Sequence, residues 1–159
     1  MKYLLLGAYA LLGLSTKAVA ETPLMAPIHQ FLESFDKGDE KTAAKAFAPG
    51  SVTIIDEIPP HLWVWPHALQ QWSKDLASAS GKDGLTDEAV TIGSPTREDI
   101  NGDRGYVVVP ATFSFKQKGA AMREPAQMVY ALKLSSGHWL ITGWAWTGGT
   151  PEPAAADPK

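Results

Sequence analysis

Helical spacing of apolar residues dominates the first half of the chain. Apolar side chains recur at i, i+3, i+4 and i+7 at Ile28, Phe31, Leu32 and Phe35. One amphipathic helix is therefore predicted, starting near Pro27 and ending at Gly38. Asp39 can cap a second, shorter helix over residues 40–48, which ends at Pro49-Gly50.

A strand and a third helix are predicted next. Residues 51–56, with the sequence SVTIID, are short and β-branched, which is typical of a strand. Pro66 suits the first turn of a helix because its missing N–H has no partner there anyway. The apolar side of this helix would contain Leu69, Trp72 and Leu76, and the helix would end in the Ser/Gly-rich residues 78–84.

After Gly84 the pattern has the composition and turn signals of strands. Strands are predicted over residues 86–98, 104–116, 124–134 and 138–147, with hairpin signals at Asn101-Gly102, Lys118-Gly119 and Ser136-Gly137. In the third of these strands Met128, Tyr130, Leu132 and Leu134 alternate with Gln127, Ala131 and Lys133, so one face is expected to be buried. Early helices and a late antiparallel meander predict an α+β domain with the helices on one face of a curved sheet.

The two ends of the chain differ from this domain. Residues 1–20 combine Lys2, an apolar run and an Ala18-Val19-Ala20 cleavage site, the pattern of a secretory signal peptide. An exported protein, periplasmic or secreted, is therefore expected, and the alternative is a retained N-terminal anchor. The Pro- and Ala-rich residues 151–159 predict a disordered tail.

Composition excludes several classes of function. The chain has no cysteine, which rules out disulfides and a cysteine nucleophile. Removing Lys2 and Lys17 from the 14 basic residues leaves 12 against 17 acidic ones, a net charge of −5. No basic cluster interleaves with aromatic residues, so neither nucleic acid nor, after signal removal, a membrane is an expected partner. Phosphate-loop, serine-elbow and zinc-ligand spacings are also missing, so no cofactor or metal is expected.

The element order and the ending GDRGYVVVPATFSFKQKG…GHWLITGWAWTGG resemble the nuclear transport factor 2-like superfamily, in particular SnoaL-like domains with the ketosteroid isomerase-like fold. The resemblance covers roughly residues 26–149, within a domain expected to span residues 21–150. It implies a cone-shaped roll, in which a curved antiparallel sheet carries the N-terminal helices on its concave face. The same resemblance implies a pocket inside the cone, with the segment EIPPHLWVWPHALQQW (residues 57–72) at its mouth.

The resemblance also suggests catalytic residues. Asp56 ends the first predicted strand, where ketosteroid isomerases place their general base, and His61 is a candidate acid/base partner. The tyrosine and the late-sheet aspartate that assist this base in the isomerases have no counterparts here, because residues 125–150 contain no Asp or Glu. Tyr130 is left as one possible hydrogen-bond donor. The alternatives are a strand-end carboxylate that accepts backbone hydrogen bonds and an exposed loop histidine.

Four tryptophans are candidates for binding a ligand. Trp63 and Trp65 are two positions apart in an extended stretch stiffened by prolines, so both rings can face the same side. Trp144 and Trp146 are likewise two positions apart in the last predicted strand and could form an opposite wall. Two such walls would suit a flat apolar molecule. The alternative is an aromatic core that closes the cone.

Three functions follow as hypotheses. The first is binding of a small hydrophobic ligand, the second is an isomerase, cyclase or dehydratase that uses proton transfer by Asp56, and the third is a dimeric interaction domain without catalysis. A hollow cone would favour a ligand-binding function over the interaction domain. A homodimer is expected through the outer face of the meander, if Val107, Val109, Phe113 and Phe115 lie there. In the alternative arrangement these residues face inward and Tyr106 lies outside.

Overall fold

The computed structural model describes residues 22–50 and 52–154, so the predicted signal peptide lies outside the described residues. Within these ranges the helices are α1 (Met25–Asp36), α2 (Glu40–Ala44) and α3 (Ala68–Asp83). The strands are β1 (Thr53–Ile55), β2 (Leu62–Val64), β3 (Leu85–Ile92), β4 (Arg97–Asn101), β5 (Arg104–Gln117), β6 (Ala120–Ser135), β7 (His138–Gly148) and β8 (Glu152–Pro153). No described helix is both long and apolar enough to cross a membrane.

The helices follow the predicted periodicity. Ile28 and Phe31 on α1 are fully buried, and the carboxylate of Asp39 accepts a hydrogen bond from the backbone N–H of Thr42 at 3.0 Å, which caps α2. Helix α3 continues through the Ser/Gly-rich residues that were predicted to end it. It stops where Gly84 takes a left-handed conformation with φ of 66° and its N–H binds the carbonyl of Ser80.

The strands form one open sheet in the order β2-β1-β7-β6-β5-β3, with β4 also paired to β5 and β8 to β6. All pairs are antiparallel except β1 with β7. The single strand predicted over residues 86–98 is two strands, β3 and β4, which pair with different parts of β5. The hairpin turns at Lys118-Gly119 and Ser136-Gly137 have positive φ at both positions, as type I′ turns require.

The concave face of the sheet carries the core. Val107 and Val109 are fully buried and Phe115 is nearly so, whereas Tyr106 is 38% exposed. The expectation that these β5 residues lie on the outer face is therefore wrong, and the alternative is confirmed. Val107 and Val109 belong with the apolar residues of α1 to the buried core cluster, since burying them against the helices removes their surface from water.

The start of the C-terminal segment is part of the sheet. Strand β8 pairs with β6 through Met122↔Pro153 and Arg123↔Glu152, and the Arg123 guanidinium lies 2.8 Å from the Glu152 carboxylate. The prediction of a disordered tail from residue 151 is thus wrong for Glu152 and Pro153. Residues 155–159 lie outside the described range.

Candidate functional site

A cavity of about 490 Å³ lies between helices α1 and α3 and the concave face of the sheet. The cone is therefore hollow. Aromatic rings from both helices and from strands β5 and β7 line it: Phe31, Phe35, Trp72, Phe113, Phe115, Trp144 and Trp146. A volume of this size with mainly apolar walls is typical of a site for a small organic molecule.

The rings pack against one another and so fix the shape of the wall. Trp72 and Trp144 meet edge to face, with centroids 4.9 Å apart, and Phe35 packs on Trp72 at 5.0 Å. On the opposite side Phe113 meets Trp146 edge to face at 6.5 Å. Because these pairs have the favoured geometry, the walls are preorganised for a ligand.

Asp56 lines the cavity at the start of the segment that follows β1. Its Oδ2 accepts a hydrogen bond from Trp72 Nε1 at 2.8 Å, and its Oδ1 accepts one from the backbone N–H of Ile58 at 3.2 Å. Both carboxylate oxygens are therefore engaged. In this geometry Asp56 orients the Trp72 ring and shapes the turn after β1.

A second carboxyl group, that of Glu57, forms a hydrogen bond with the carboxyl of Glu124 on β6. Glu57 lies at the exposed mouth of the cavity, whereas Glu124 is only 3% exposed. The pKa of Glu57 is raised to about 7, mainly by burial of the carboxyl and to a smaller extent by the negative charges of Glu124 and Asp56. Burial also raises the pKa of Glu124. A Glu57 carboxyl with this pKa is partly protonated near neutral pH, and its proton is then shared with Glu124 through their hydrogen bond.

Trp146 and Gly148 hold this pair in place. Trp146 Nε1 donates a hydrogen bond to Glu124 Oε1 at 3.2 Å. A Cβ atom added at Gly148 would overlap both carboxyl groups and also approach Trp146 Nε1 to 2.8 Å. The pair therefore depends on the missing side chain at Gly148.

Four of the predicted site residues do not line this cavity. Trp63 is a core residue, 3% exposed, and its Nε1 donates to Asp75 Oδ2 at 2.9 Å. Trp65 is 50% exposed and borders a separate hollow of about 220 Å³ beside Phe47 and Val52. The structure does not bring these two rings together at the mouth.

The two predicted partners of Asp56 are also elsewhere. Tyr130 is fully buried, its hydroxyl points to Met128 Sδ at 3.2 Å, and burial raises its pKa. His61 is exposed, with its Nδ1 3.3 Å from the backbone oxygen of Asp56. Of the predicted residues, Asp56, Trp144 and Trp146 are brought together in the cavity wall. No group of three or more acidic or histidine residues in the described part of the chain could hold a metal ion.

Sequence reasoning missed Glu57 and Glu124. A signal for Glu124 was present, since it shares parity with Met128 and Tyr130 on the buried face of β6. An acidic residue at a core-facing position is unusual enough to mark a candidate site. No signal in the sequence places Glu57 against it, because that contact depends on how the segment after β1 turns.

No protein-family model and no curated protein matches the chain. Solved structures do. A ketosteroid isomerase-like protein from Erwinia carotovora atroseptica superposes with a TM-score of 0.59 at 14% identity, covering 80% of this chain and 95% of that one. A hexachlorocyclohexane dehydrochlorinase from Novosphingobium barchaimii superposes with a TM-score of 0.66 at 12% identity, covering 82% of this chain and 89% of that one. A protein of unknown function from Mycobacterium tuberculosis superposes with a TM-score of 0.63 at 11% identity, covering 80% of this chain and 70% of that one.

At these identities the likeness establishes the fold alone. The chain has the nuclear transport factor 2-like fold that the sequence resemblance implied, an α+β cone with an open, curved sheet. Proteins with one fold carry out many unrelated functions, so the activity has to be argued from the cavity.

Proposed function

We propose that this protein binds a small, largely apolar organic molecule in the cavity between its helices and its sheet. The observation that carries the proposal is the hollow of about 490 Å³ with seven aromatic residues in its wall. A pure interaction domain would gain stability by filling this space with its own side chains, because empty apolar volume costs packing energy. The open cavity is therefore better explained by a ligand.

A neutral fluorescent probe tests this proposal. N-phenyl-1-naphthylamine brightens when it leaves water, so titration into the protein should give a saturable increase. Val90 lines the cavity from β3, and Val90→Phe should weaken the binding of the probe by narrowing the space. Thr91→Phe places the same side chain on the neighbouring exposed position and serves as the control. Equal binding by both variants would reject the cavity as the site.

A second candidate function is catalysis by proton transfer, favoured by the Glu57–Glu124 pair. A group with a pKa of about 7 can both take and give a proton at neutral pH, which is what a general acid/base needs. Asp56, the base implied by the resemblance, already accepts one hydrogen bond on each oxygen, whereas Glu57 has the raised pKa, so we assign the transfer to Glu57. Ketone isomerisation moves a proton and dehydrochlorination removes one, and the pair suits either type of reaction.

The enzymatic candidate is tested with two substrate types. A β,γ-unsaturated ketosteroid would report isomerisation by the absorbance of the conjugated product, and hexachlorocyclohexane would report release of chloride. Glu57→Gln should abolish turnover but retain probe binding, while Asp99→Asn, an exposed change on β4, should retain both. Full turnover in Glu57→Gln would remove this candidate and leave the binding proposal standing.

We also propose that a second copy of the chain covers the outer face of the sheet. An apolar row crosses five strands in register there: Leu62, Ile55, Ala145, Val129 and Val108. Leu62 is 54% exposed and Ile55 is 47% exposed. Ala145, Val129 and Val108 are half-buried, and partly exposed apolar rows on a sheet face are typical of interfaces. This row replaces the β5 residues on which the dimer was first predicted.

Export remains a proposal based on the signal-like residues 1–20. Intact-mass measurement of the protein purified from its native host tests it. A mature chain that begins at Glu21 would support export, and a chain that retains residues 1–20 would reject processing.

A further inference from the structure

The cavity wall carries acidic groups from helices α1 and α3, from strands β3 and β6, and from the segment after β1. These are Asp36 on α1, Asp83 on α3, Glu88 on β3, Glu124 on β6, and Asp56 and Glu57 in the segment after β1. No lysine, arginine or histidine is among the residues that line this cavity. The lining is therefore aromatic and acidic, with no positive charge of its own.

None of these carboxyl groups takes part in the lysine and arginine ion pairs seen among the described residues. The ion pairs of lysine and arginine in the described part of the chain involve other acids: Glu33, Asp103, Asp87 and Glu152. The charges that act on Glu57 are those of Glu124 and Asp56, which are both negative. Glu124 is buried and Asp56 is half-buried, and negative charge beside an apolar wall is costly without a partner, so the cavity is electrostatically suited to a cation.

The aromatic residues give an independent reason to expect a cation. The face of an indole ring attracts positive charge, most strongly where water is displaced. Two indoles in this wall donate their N–H to carboxylates, Trp72 to Asp56 and Trp146 to Glu124. Such hydrogen bonds push electron density into the rings, which strengthens the attraction of their faces for a cation.

We propose that the ligand is an organic cation, an amine or quaternary ammonium compound with an apolar body. Its charged nitrogen lies near Asp56, Glu57 and Glu124, and its body packs between Trp72, Trp144 and Phe113. The inference rests on the proposed function, because it names the chemical class of the ligand for the same cavity. Metal ions are not the fitting cation, since the described acidic groups do not form a metal-binding cluster.

Binding of such a cation has a second consequence. A positive charge beside Glu57 favours the ionised carboxylate, so the bound complex holds less of the proton shared with Glu124. Every titratable group that lines the cavity is acidic, so none of them offsets this effect. Calorimetric titration near neutral pH should therefore detect proton release, as a binding enthalpy that changes with the ionisation enthalpy of the buffer.

Three probes of similar shape test the charge preference. Benzyltrimethylammonium is the cation, neopentylbenzene is its neutral carbon isostere, and phenylacetate is the anion. At slightly alkaline pH we expect the full protein to bind the cation at least about tenfold more tightly than the isostere, with phenylacetate weakest. Displacement of N-phenyl-1-naphthylamine and calorimetry both measure these affinities.

Removal of one carboxylate tests the residues. Glu124→Gln keeps the shape of the side chain, and it should cut the preference for the cation severalfold while neopentylbenzene binds as before. Asp99→Asn removes one exposed negative charge from β4 and should leave the preference unchanged. If Glu124→Gln no longer binds the neutral isostere, Glu57→Gln at the cavity mouth provides the same comparison.

The outcomes separate the two proposals. Neutral binding equal to or tighter than cation binding, or a preference for phenylacetate, overturns the cation inference and leaves the hydrophobic site intact. A cation preference that neither carboxylate variant reduces also overturns it. Failure of all three probes to displace bound N-phenyl-1-naphthylamine overturns the inference alone, whereas failure of N-phenyl-1-naphthylamine itself to bind rejects the proposed function.

Discussion

Trp63 and Trp65 are two positions apart, yet Trp63 is 3% exposed in the core and Trp65 is 50% exposed. Trp63 ends up inside because β2 turns its middle residue toward α3, where the indole N–H binds the Asp75 carboxylate at 2.9 Å. Trp65 lies just past the strand, where its backbone N–H still binds the carbonyl of Val52 at 2.9 Å. Neither ring lines the cavity, so one stabilises the fold and the other covers a smaller hollow.

The two tryptophans should respond very differently to truncation. Trp63→Ala removes a buried ring and its hydrogen bond, so we expect the free energy of unfolding to fall by about 3–5 kcal/mol. Trp65→Ala should cost less than about 1 kcal/mol, as is usual for exposed positions. Urea denaturation of both variants measures the difference. Similar losses in both would show that the Trp65 ring is packed more tightly than its exposure indicates.

Gly148 and Gly81 make a matched pair of glycine substitutions. In Gly148→Ala the added Cβ overlaps the carboxyl groups of Glu57 and Glu124, so the pair must separate. We expect a loss of about 1–3 kcal/mol in stability and weaker probe binding. Gly81 lies within α3 with no atom within 4 Å of its added Cβ, so Gly81→Ala should stabilise the helix by about 0.5–1 kcal/mol. Thermal unfolding of the two variants should therefore shift in opposite directions.

The fold was predictable from local pattern to a large extent. The stripe of Ile28, Phe31 and Leu32 predicted α1, and the turn signals at Lys118-Gly119 and Ser136-Gly137 predicted the hairpins of the meander. These features depend on residues close in sequence, whose periodicity and φ preferences are visible without the structure. The prediction of one strand over residues 86–98 was wrong only in missing the break between β3 and β4.

The site was much less predictable. Trp144 and Trp146 were identified by parity, and Asp56 by its place after the first strand. The Glu57–Glu124 pair joins residues that are far apart in the chain, and it forms only when the segment after β1 reaches the first part of β6 and the end of β7 beside Gly148. The prediction that Trp65 faces the same side as Trp63 was also wrong, because the two-residue alternation of side chains ends where β2 ends, at Val64.

The apolar row on the outer face predicts a dimer that one charge can disrupt. Ile55→Lys places an ammonium group within the row, so we expect a dimer of the unchanged chain to become monomeric in this variant. Ile100→Lys is the control, because Ile100 is 51% exposed, close to the 47% of Ile55, but lies on β4 away from the row. Sedimentation velocity at micromolar concentration measures both. A monomeric unchanged chain would reject the interface, and so would dissociation of both variants.

The pH dependence of stability provides a direct test of the Glu57–Glu124 pair. Glu57 has its pKa raised from an ordinary 4.5 to about 7, so between these values the folded protein holds a proton that the unfolded chain has lost. The folded state is then favoured by acid, and the free energy of unfolding should decrease as pH rises through this window and level off above it. The raised pKa of Glu124 acts in the same direction.

Glu57→Gln removes the titrating group but keeps a side chain that can donate to Glu124, so the variant should lose less stability than the unchanged protein between about pH 5 and about pH 8. Some pH dependence should persist, because burial also raises the pKa of Glu124 and of Asp36. Asp99→Asn, which removes an exposed acid on β4, should follow the unchanged protein throughout. Urea denaturation at four pH values across the window gives the three curves. If the free energy of unfolding of Glu57→Gln changes with pH as it does in the unchanged protein, Glu57 does not hold the shared proton. The assignment of proton transfer to Glu57 would then be rejected as well.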